Sequence, residues 1–476
     1  MGLGAVVAGS SWLTEPRRPQ WLREKPKAYR YALATVCIGA FMGQLDASVV
    51  TVAFPSMQRS FHSSLAAVTL VGLSYLVVLV AGVTAVGRFS DSVGRKLVYT
   101  YGFAVFSFGS ALCALAPSLL ALDGARLVQG LGAAMLQANS LAILYLVLPK
   151  ERLGRGLGIQ GACQALGLAL GPTVGGLLLA AGGWRLIFLV NVPAGMLGVL
   201  AARLCLPRSA DLTCKSQFDW GGLALLAPAV VAPLVALSFA SAWGWWSPAM
   251  AVLVAVAVAS TAWLIRHERR VASPLVDIAI FRKPSVATGM ASALLSYLVL
   301  FGVMFAVPFF LERGRHLGTG SAGLILTALP LSLGCVAPYA GRLSDRIGGR
   351  RPAAAGMAVT AAALAAAGLA EPTGWVLAAC LAVAGAGLGL FVSPNTAGVM
   401  SSVRRSQAGV MSGLLNMTRG LGTAMGLALT GLVLSAGAGR AVSSAGVGRG
   451  YEPAMLTLAL LSLVAAGLTS RRPAAC

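Results

Sequence analysis

Gly87-Arg88-Phe89-Ser90-Asp91-Ser92-Val93-Gly94-Arg95-Lys96 returns 254 residues later as Gly341-Arg342-Leu343-Ser344-Asp345-Arg346-Ile347-Gly348-Gly349-Arg350. Five positions are shared at equal spacing: two glycines, an arginine, a serine and an aspartate. Each copy is a polar stretch between long apolar runs, so it reads as a tight loop joining two membrane helices. A bilayer core of roughly 30 Å needs about 20 apolar residues per crossing, and a backbone in lipid must pair with itself, which leaves helices for runs of this length. Fourteen runs qualify, near 31–55, 66–87, 97–117, 119–148, 156–182, 184–206, 220–240, 248–265, 286–311, 320–341, 353–371, 374–401, 407–436 and 453–470. Eight of them separate the two copies, an even number, so both loops fall on one face and the two halves run parallel. Two such halves with a site at the midplane between them form an architecture of alternating-access carriers.

Working outward, the whole chain fits that reading. Its 476 residues are 57% hydrophobic and 11% charged, with mean hydropathy +0.82, far more apolar surface than one soluble core hides. The net charge of +22 would suit a nucleic-acid binder. Placement decides otherwise: with the N-terminus inside, 28 of the 36 Lys and Arg residues fall on the cytoplasmic side, spread over eight segments, as the positive-inside rule demands. Arg126 and Arg419 are the two left within spans. Trp243, Trp245 and Trp246 sit at an outside helix end, where aromatic belts form. The eight cysteines make no CxxC pair and mostly lie in apolar runs, so neither a disulfide framework nor a zinc site is expected. Residues 1–30 read as a retained cytoplasmic tail; an Arg-rich presequence is the other reading, and Glu15 and Glu24 count against it. The domain plan is thus a tail at 1–30, a six-helix half at 31–206, a two-helix insert with linkers at 207–285, a second six-helix half at 286–470 and a tail at 471–476.

The loop repeat resembles the signature between helices 2 and 3 of the major facilitator superfamily. Further stretches resemble its fourteen-span drug:proton antiporters: Leu45-Asp46-Ala47-Ser48-Val49-Val50-Thr51-Val52-Ala53-Phe54-Pro55 in the first helix, and Arg126-Leu127-Val128-Gln129-Gly130-Leu131-Gly132 in the fourth. Gly167 to Gly176, including Gly171-Pro172-Thr173-Val174-Gly175-Gly176, resembles the antiporter motif of the fifth, and Trp184-Arg185-Leu186-Ile187-Phe188-Leu189-Val190-Asn191-Val192-Pro193 the entry to the sixth. The likeness runs from about residue 31 onward. Thr51 stands where the family pattern has Asn, and Ser48 where it has Thr. The resemblance implies an all-α integral membrane protein of the major facilitator fold, two parallel six-helix halves with two inserted central helices.

Asp46 is the one carboxylate deep in a span. Desolvation disfavours the charged form of a carboxylate, which suits such a group to take up and release a proton. Arg126 lies at similar depth, roughly 10 Å below the outer helix ends against roughly 14 Å for Asp46, at 1.5 Å per residue. The pair is expected to meet directly or through Gln129, Gln137 or water; Asp123, one turn before Arg126, is the competing partner. A purely structural pair is the alternative role. Gln129, Gln137, Asn139, Gln164, Asn416 and Arg419 are the candidates for a substrate cavity, and Arg419 could meet an acidic substrate group or a helix carbonyl end.

Gly167, Gly171 and Gly175 form a stripe that admits a close neighbour, with Pro172 expected to bend the helix. The resemblance implies that this stripe shapes a hinge or seal between the halves. In the loop, Gly87 and Gly94 suit a tight turn, while Asp91 with Arg88 and Arg95 can latch helices 2 and 3 to a neighbour. The resemblance points Asp91 at the helix starting near 407, and Asp345 repeats the arrangement. Glu312 and Asp219 at span ends, and His62, His267 and His316 in loops or at ends, read as solvated.

No P-loop and no nucleophile with an identifiable base occurs, so enzymatic catalysis and ATP hydrolysis have no visible machinery. The expectation is a proton-coupled exporter of amphiphilic or cationic drugs or antibiotics in the cytoplasmic membrane, both termini inside. It would act as a monomer, with lipid around it and the proton gradient in place of any cofactor or metal. Proton-coupled uptake of a small solute is the rival within transport. A membrane sensor is the rival from another class, and the short loops offer it no output domain.

Overall fold

The computed structural model describes residues 15–471 other than 16, 26, 64, 210–218, 244–246, 272–277, 312–314, 316, 318, 371–373, 405–406 and 439–443. Helices dominate. In chain order the long ones are α1 (Tyr29–Phe61), α2 (Leu65–Val93), α3 (Arg95–Leu115), α4 (Leu119–Val147), α5 (Leu153–Gly182), and α6 in two pieces, Trp184–Leu189 and Asn191–Cys205. Then come α7 (Trp220–Trp243), α8 (Pro248–Glu268), α9 (Pro284–Phe309), α10 (Thr319–Ile347), α11 (Arg350–Leu369), α12 (Gly374–Met400), α13 (Ala408–Ala438) and α14 (Ser444–Ser470). Among the described residues thirteen of these are long and apolar enough to cross a membrane. α7 is apolar too, but its stretch with described side chains, Trp220–Ala236, is shorter. The chain is a multi-pass membrane protein. Trp245, Trp246, Glu312 and His316 lie outside the described residues.

Helix ends follow local chemistry. Ser118 Oγ accepts from the Ala121 amide (3.2 Å) to start α4, and Ser247 does the same for Met250 (3.3 Å) with Pro248 in the first turn of α8. The two copies of the repeated motif fold alike, and differently from the expected loops. α2 continues through Asp91 to Val93 and only Gly94 turns; α10 continues through Asp345 to Ile347 before Gly348 and Gly349. Gly94 and Gly348 have φ of +122° and +83°, conformations that a Cβ disfavours, so one glycine per copy reverses the chain. Gly87 is helical, not part of the turn. We call the end of the bundle carrying these two turns the basic face.

The N-terminal half packs around Tyr99, Phe103 and Phe106 of α3 against α1, α4 and α6; the C-terminal half packs around Phe310, Phe391 and Tyr451. The halves meet chiefly along α5 with α10 and α2 with α13. α7 lies across that second seam, its Leu226, Val230 and Leu234 against Val80 and Leu421. α8 packs on α7 and leaves Val252, Val254, Val258 and Trp263 exposed, as a lipid-facing helix does. Asp219 corrects the solvated reading: it is buried, caps α7 by accepting from the Gly222 amide (2.8 Å), and sits 2.9 Å from His267 Nε2 at the end of α8.

Candidate functional site

The buried face of α1 carries Met42, Asp46, Val49, Ala53 and Met57 at three- and four-residue steps, so helix periodicity turns Asp46 into the N-terminal half. α4 answers with Leu122, Arg126, Gln129 and Ala133 on one stripe. Asp46 Oδ2 meets Arg126 Nη1 at 2.8 Å, with the side chains 0% and 1% exposed. Gln129 Nε2 (2.9 Å) and Asn191 Nδ2 (2.8 Å) both donate to Asp46 Oδ1. Arg126 also donates to Gln129 Oε1 (2.6 Å) and to the Val71 carbonyl (3.1 Å), and its guanidinium lies 4.3 Å from the centre of the Tyr75 ring. Gln129 donates onward to Ser110 (2.7 Å). The expected pair is therefore direct, and Arg126 pairs with Asp46 and not with Asp123. The carboxylate thus ties α1 to α4 and α6, and through Arg126 and Gln129 the network reaches α2 and α3.

Opposite this network, the other side of α1, with Gln44, Ser48 and Thr51, borders a cavity of about 990 Å³ between the halves. Its lining comes from the middle of α1, α2, α4, α5 and α13 and from the ends of α9 and α10 away from the basic face, so it extends from mid-depth to the face opposite the repeats. Gln137, Gln164, Asn416 and Arg419 line it. Gln129 and Asn139 do not. Gln129 belongs to the carboxylate network, and Asn139 is fully buried, donating to the Met135 carbonyl (2.9 Å) within α4. Tyr75 lines the cavity and also carries the Arg126 guanidinium over its ring, so it connects cavity and ion pair.

The basic face is shut by the repeat. Asp91, 3% exposed, is bridged by Arg95 at 2.8 Å and accepts from the Val410 amide (3.3 Å) in the first turn of α13. Asp345 accepts from the Gly154 (2.8 Å) and Arg155 (3.0 Å) amides in the first turn of α5. Each motif's carboxylate therefore caps a helix of the other half, where free amides and the helix dipole favour a negative charge. Arg88 is half-buried one turn before Asp91. Glycines permit the approach: a Cβ on Gly87 would stand 2.5 Å from the Gly409 carbonyl oxygen, and one on Gly154 would stand 2.6 Å from that of Gly341.

The α5 stripe packs differently from its implied role. A Cβ on Gly167 would come within 2.6 Å of the Phe41 carbonyl, one on Gly171 would overlap Ser48, and one on Gly175 would press Val49 at 3.3 Å. All three face α1, inside one half, and Ser48 Oγ donates to the Gly167 carbonyl (3.3 Å). Contact across the halves uses Gly154 and Gly158 instead, the latter against Ala337 and Pro338 of α10. The physical reason is helix phase: 154 and 158 lie on a different face from 167, 171 and 175. α5 is continuous through Pro172, which borders the cavity.

Asn191 and Tyr75 are site residues that the sequence reading left without a role. Asn191 had a signal, being a lone amide in an apolar span. Tyr75 had none, since an aromatic in a membrane helix is ordinary.

A model described as Major Facilitator Superfamily matches residues 36–213, 220–427 and 289–474. The multidrug resistance protein Stp of Mycobacterium tuberculosis is 34% identical over 402 residues, 84% of this chain and 74% of that one. The riboflavin transporter RibZ of Clostridioides difficile is 30% identical over 398 residues, 83% of this chain and 86% of that one. Among solved structures, the human organic anion transporter MFSD10 superposes with TM-score 0.68 at 16% identity, covering 94% of this chain and 100% of that one, a likeness of fold alone. By a sequence match that runs nearly end to end and by its two-half helical fold, the chain belongs to the Major Facilitator Superfamily of transporters.

Proposed function

We propose that the chain is a proton-coupled exporter of drugs or antibiotics across the cytoplasmic membrane, a fourteen-span antiporter with both termini inside, working as a monomer. The observation that carries this is the Asp46 network: a carboxylate and a guanidinium kept deep in an apolar bundle, one ring away from a cavity large enough for a drug-sized molecule. A buried ion pair is poor evidence of stability, because desolvation offsets much of its attraction. Its retention in a membrane span favours a functional role.

With the basic face inside, the cavity opens outward and the Asp91 and Asp345 caps hold the inner side closed. A proton reaching Asp46 neutralises the acceptor of three donors and leaves Arg126 without its counter-charge. The network must then rearrange, and the helices it joins include α1 and α2, which border the cavity, so proton uptake biases the balance between outward-open and inward-open states. Gln137, Gln164 and Asn416 offer polar contacts to the cargo. The relation to Stp, a multidrug resistance protein, supports export.

RibZ, a riboflavin transporter, favours a second reading, uptake of a small solute by the same machinery. Everted membrane vesicles separate the two. When the vesicle interior is acidified, an exporter accumulates a labelled drug inside the vesicle and a proton symporter expels its solute; accumulation that ignores the gradient contradicts both.

A further inference from the structure

Arg419 is the one charged group among the described residues lining the cavity, so no described acidic residue lines it. It is 6% exposed, and its side-chain contacts among the described residues are to neutral groups. Nη2 donates to the Thr396 hydroxyl (2.6 Å) and Nη1 to Asn416 Oδ1 (3.4 Å), while the guanidinium lies 5.3 Å from the centre of the Tyr297 ring. Its Nε is buried with no hydrogen-bond partner among the described residues. The contrast with Arg126 is direct: one buried arginine has a carboxylate at 2.8 Å, and the other has none among the described residues. An uncompensated guanidinium at mid-depth is expensive, and residues of this kind mark substrate paths.

The wall beside it is aromatic. Tyr297, Phe301 and Phe305 of α9 stand at four-residue steps and all line the cavity, with Tyr297 and Phe301 stacked at 6.3 Å and 25°. Such a strip takes a flat ring system, and a planar guanidinium at its end takes a carboxylate, sulfonate or phenolate oxygen. Asn416 is itself tied down, donating to the Gln137 carbonyl (2.8 Å), so the fork is presented from a fixed support.

We propose that Arg419 is the anion-recognition residue of the cavity, and that the cargo is an aromatic amphiphile carrying an acidic oxygen, its rings on the Tyr297–Phe305 strip and its charge on Arg419. This rests on the transporter reading above and narrows the cargo: a cationic drug would bring its charge beside Arg419 with no described lining acid to offset it.

The test is equilibrium dialysis of the purified full chain in a neutral detergent against three probes with one ring system: pyrenebutyrate, pyrenebutanol and pyrenebutyltrimethylammonium. Wild type is expected to hold pyrenebutyrate about tenfold more tightly than the ammonium probe. Arg419→Gln should bring pyrenebutyrate down to the level of the alcohol, and Arg419→Lys should keep part of the preference. Equal or tighter binding of the ammonium probe by wild type, or no binding of any probe, overturns the proposal without any variant. An anion preference that survives in a folded Arg419→Gln overturns the assignment to Arg419. Binding needs neither proton coupling nor a direction of transport, so failure here leaves the exporter reading standing, and failure of the vesicle assay leaves the charge ranking intact.

Discussion

Neutralising Asp345 should loosen the basic face by an amount the structure sets. Its two carboxylate oxygens accept from the Gly154 and Arg155 amides at 2.8 and 3.0 Å, at the start of α5 in the other half. Asp345→Asn keeps the shape and one accepting oxygen, but loses the charge and turns the other position into a donor facing an N–H. A hydrogen bond to a charged group contributes roughly 1.5–3 kcal/mol, and a carboxylate at a helix N-terminus up to about 2 kcal/mol in partly buried settings; half-exposed Asp345 is expected near 2 kcal/mol. That moves the closed-to-open ratio by about 30-fold, so a face closed about 99:1 would fall to about 3:1. Double electron–electron resonance reads this directly. Spin labels go on cysteines replacing the exposed Glu151 and Arg346, one on each half beside the cap, with the eight native cysteines removed. A second, longer distance should appear in Asp345→Asn and dominate in Asp91→Asn/Asp345→Asn. An unchanged distribution in the double variant would refute the view that these carboxylates hold the halves together.

Two further outcomes follow from the bundle's interior. Arg126→Gln should destabilise the protein less in an Asp46→Asn background than alone, since the single change leaves a buried charge unpaired, at a cost of about 3–5 kcal/mol; thermal unfolding in detergent gives the cycle, and additive effects would sink the coupling. Gly171→Val should insert and fold yet carry protons and substrate independently, because its side chain drives α1 off α5 at Ser48, while Gly176→Ala, with nothing within 4 Å, should transport like wild type; equal damage from both counts against the stripe.

Fold class was legible because bilayer thickness and backbone pairing leave few choices, and because a repeated decapeptide fixes the parity of the halves. The Asp46–Arg126 contact was legible as well, from nothing more than helix rise applied to two charges in apolar runs. Rotation about the helix axis was harder. Depth says that Gln129, Asn139, Gln137 and Gln164 lie near the midplane, but only packing separates the two that line the cavity from the two that do not. The same limit explains the α5 stripe, whose facing helix depends on a phase that spacing does not give. The repeat was misjudged in extent because its polar residues imitate a loop; Asp91 and Asp345 stay helical since each finds amides in the opposite half, a long-range contact that no local pattern reports.

The central claim is that Asp46 carries the coupled proton, and it is tested most directly by following the medium pH outside reconstituted vesicles of known orientation, with an acid interior on the side corresponding to the outer face. Substrate addition should release protons with wild type and release none with Asp46→Asn, which should still fold and bind the same substrate. Equal release from the two proteins would contradict the account and move the coupling site elsewhere in the chain.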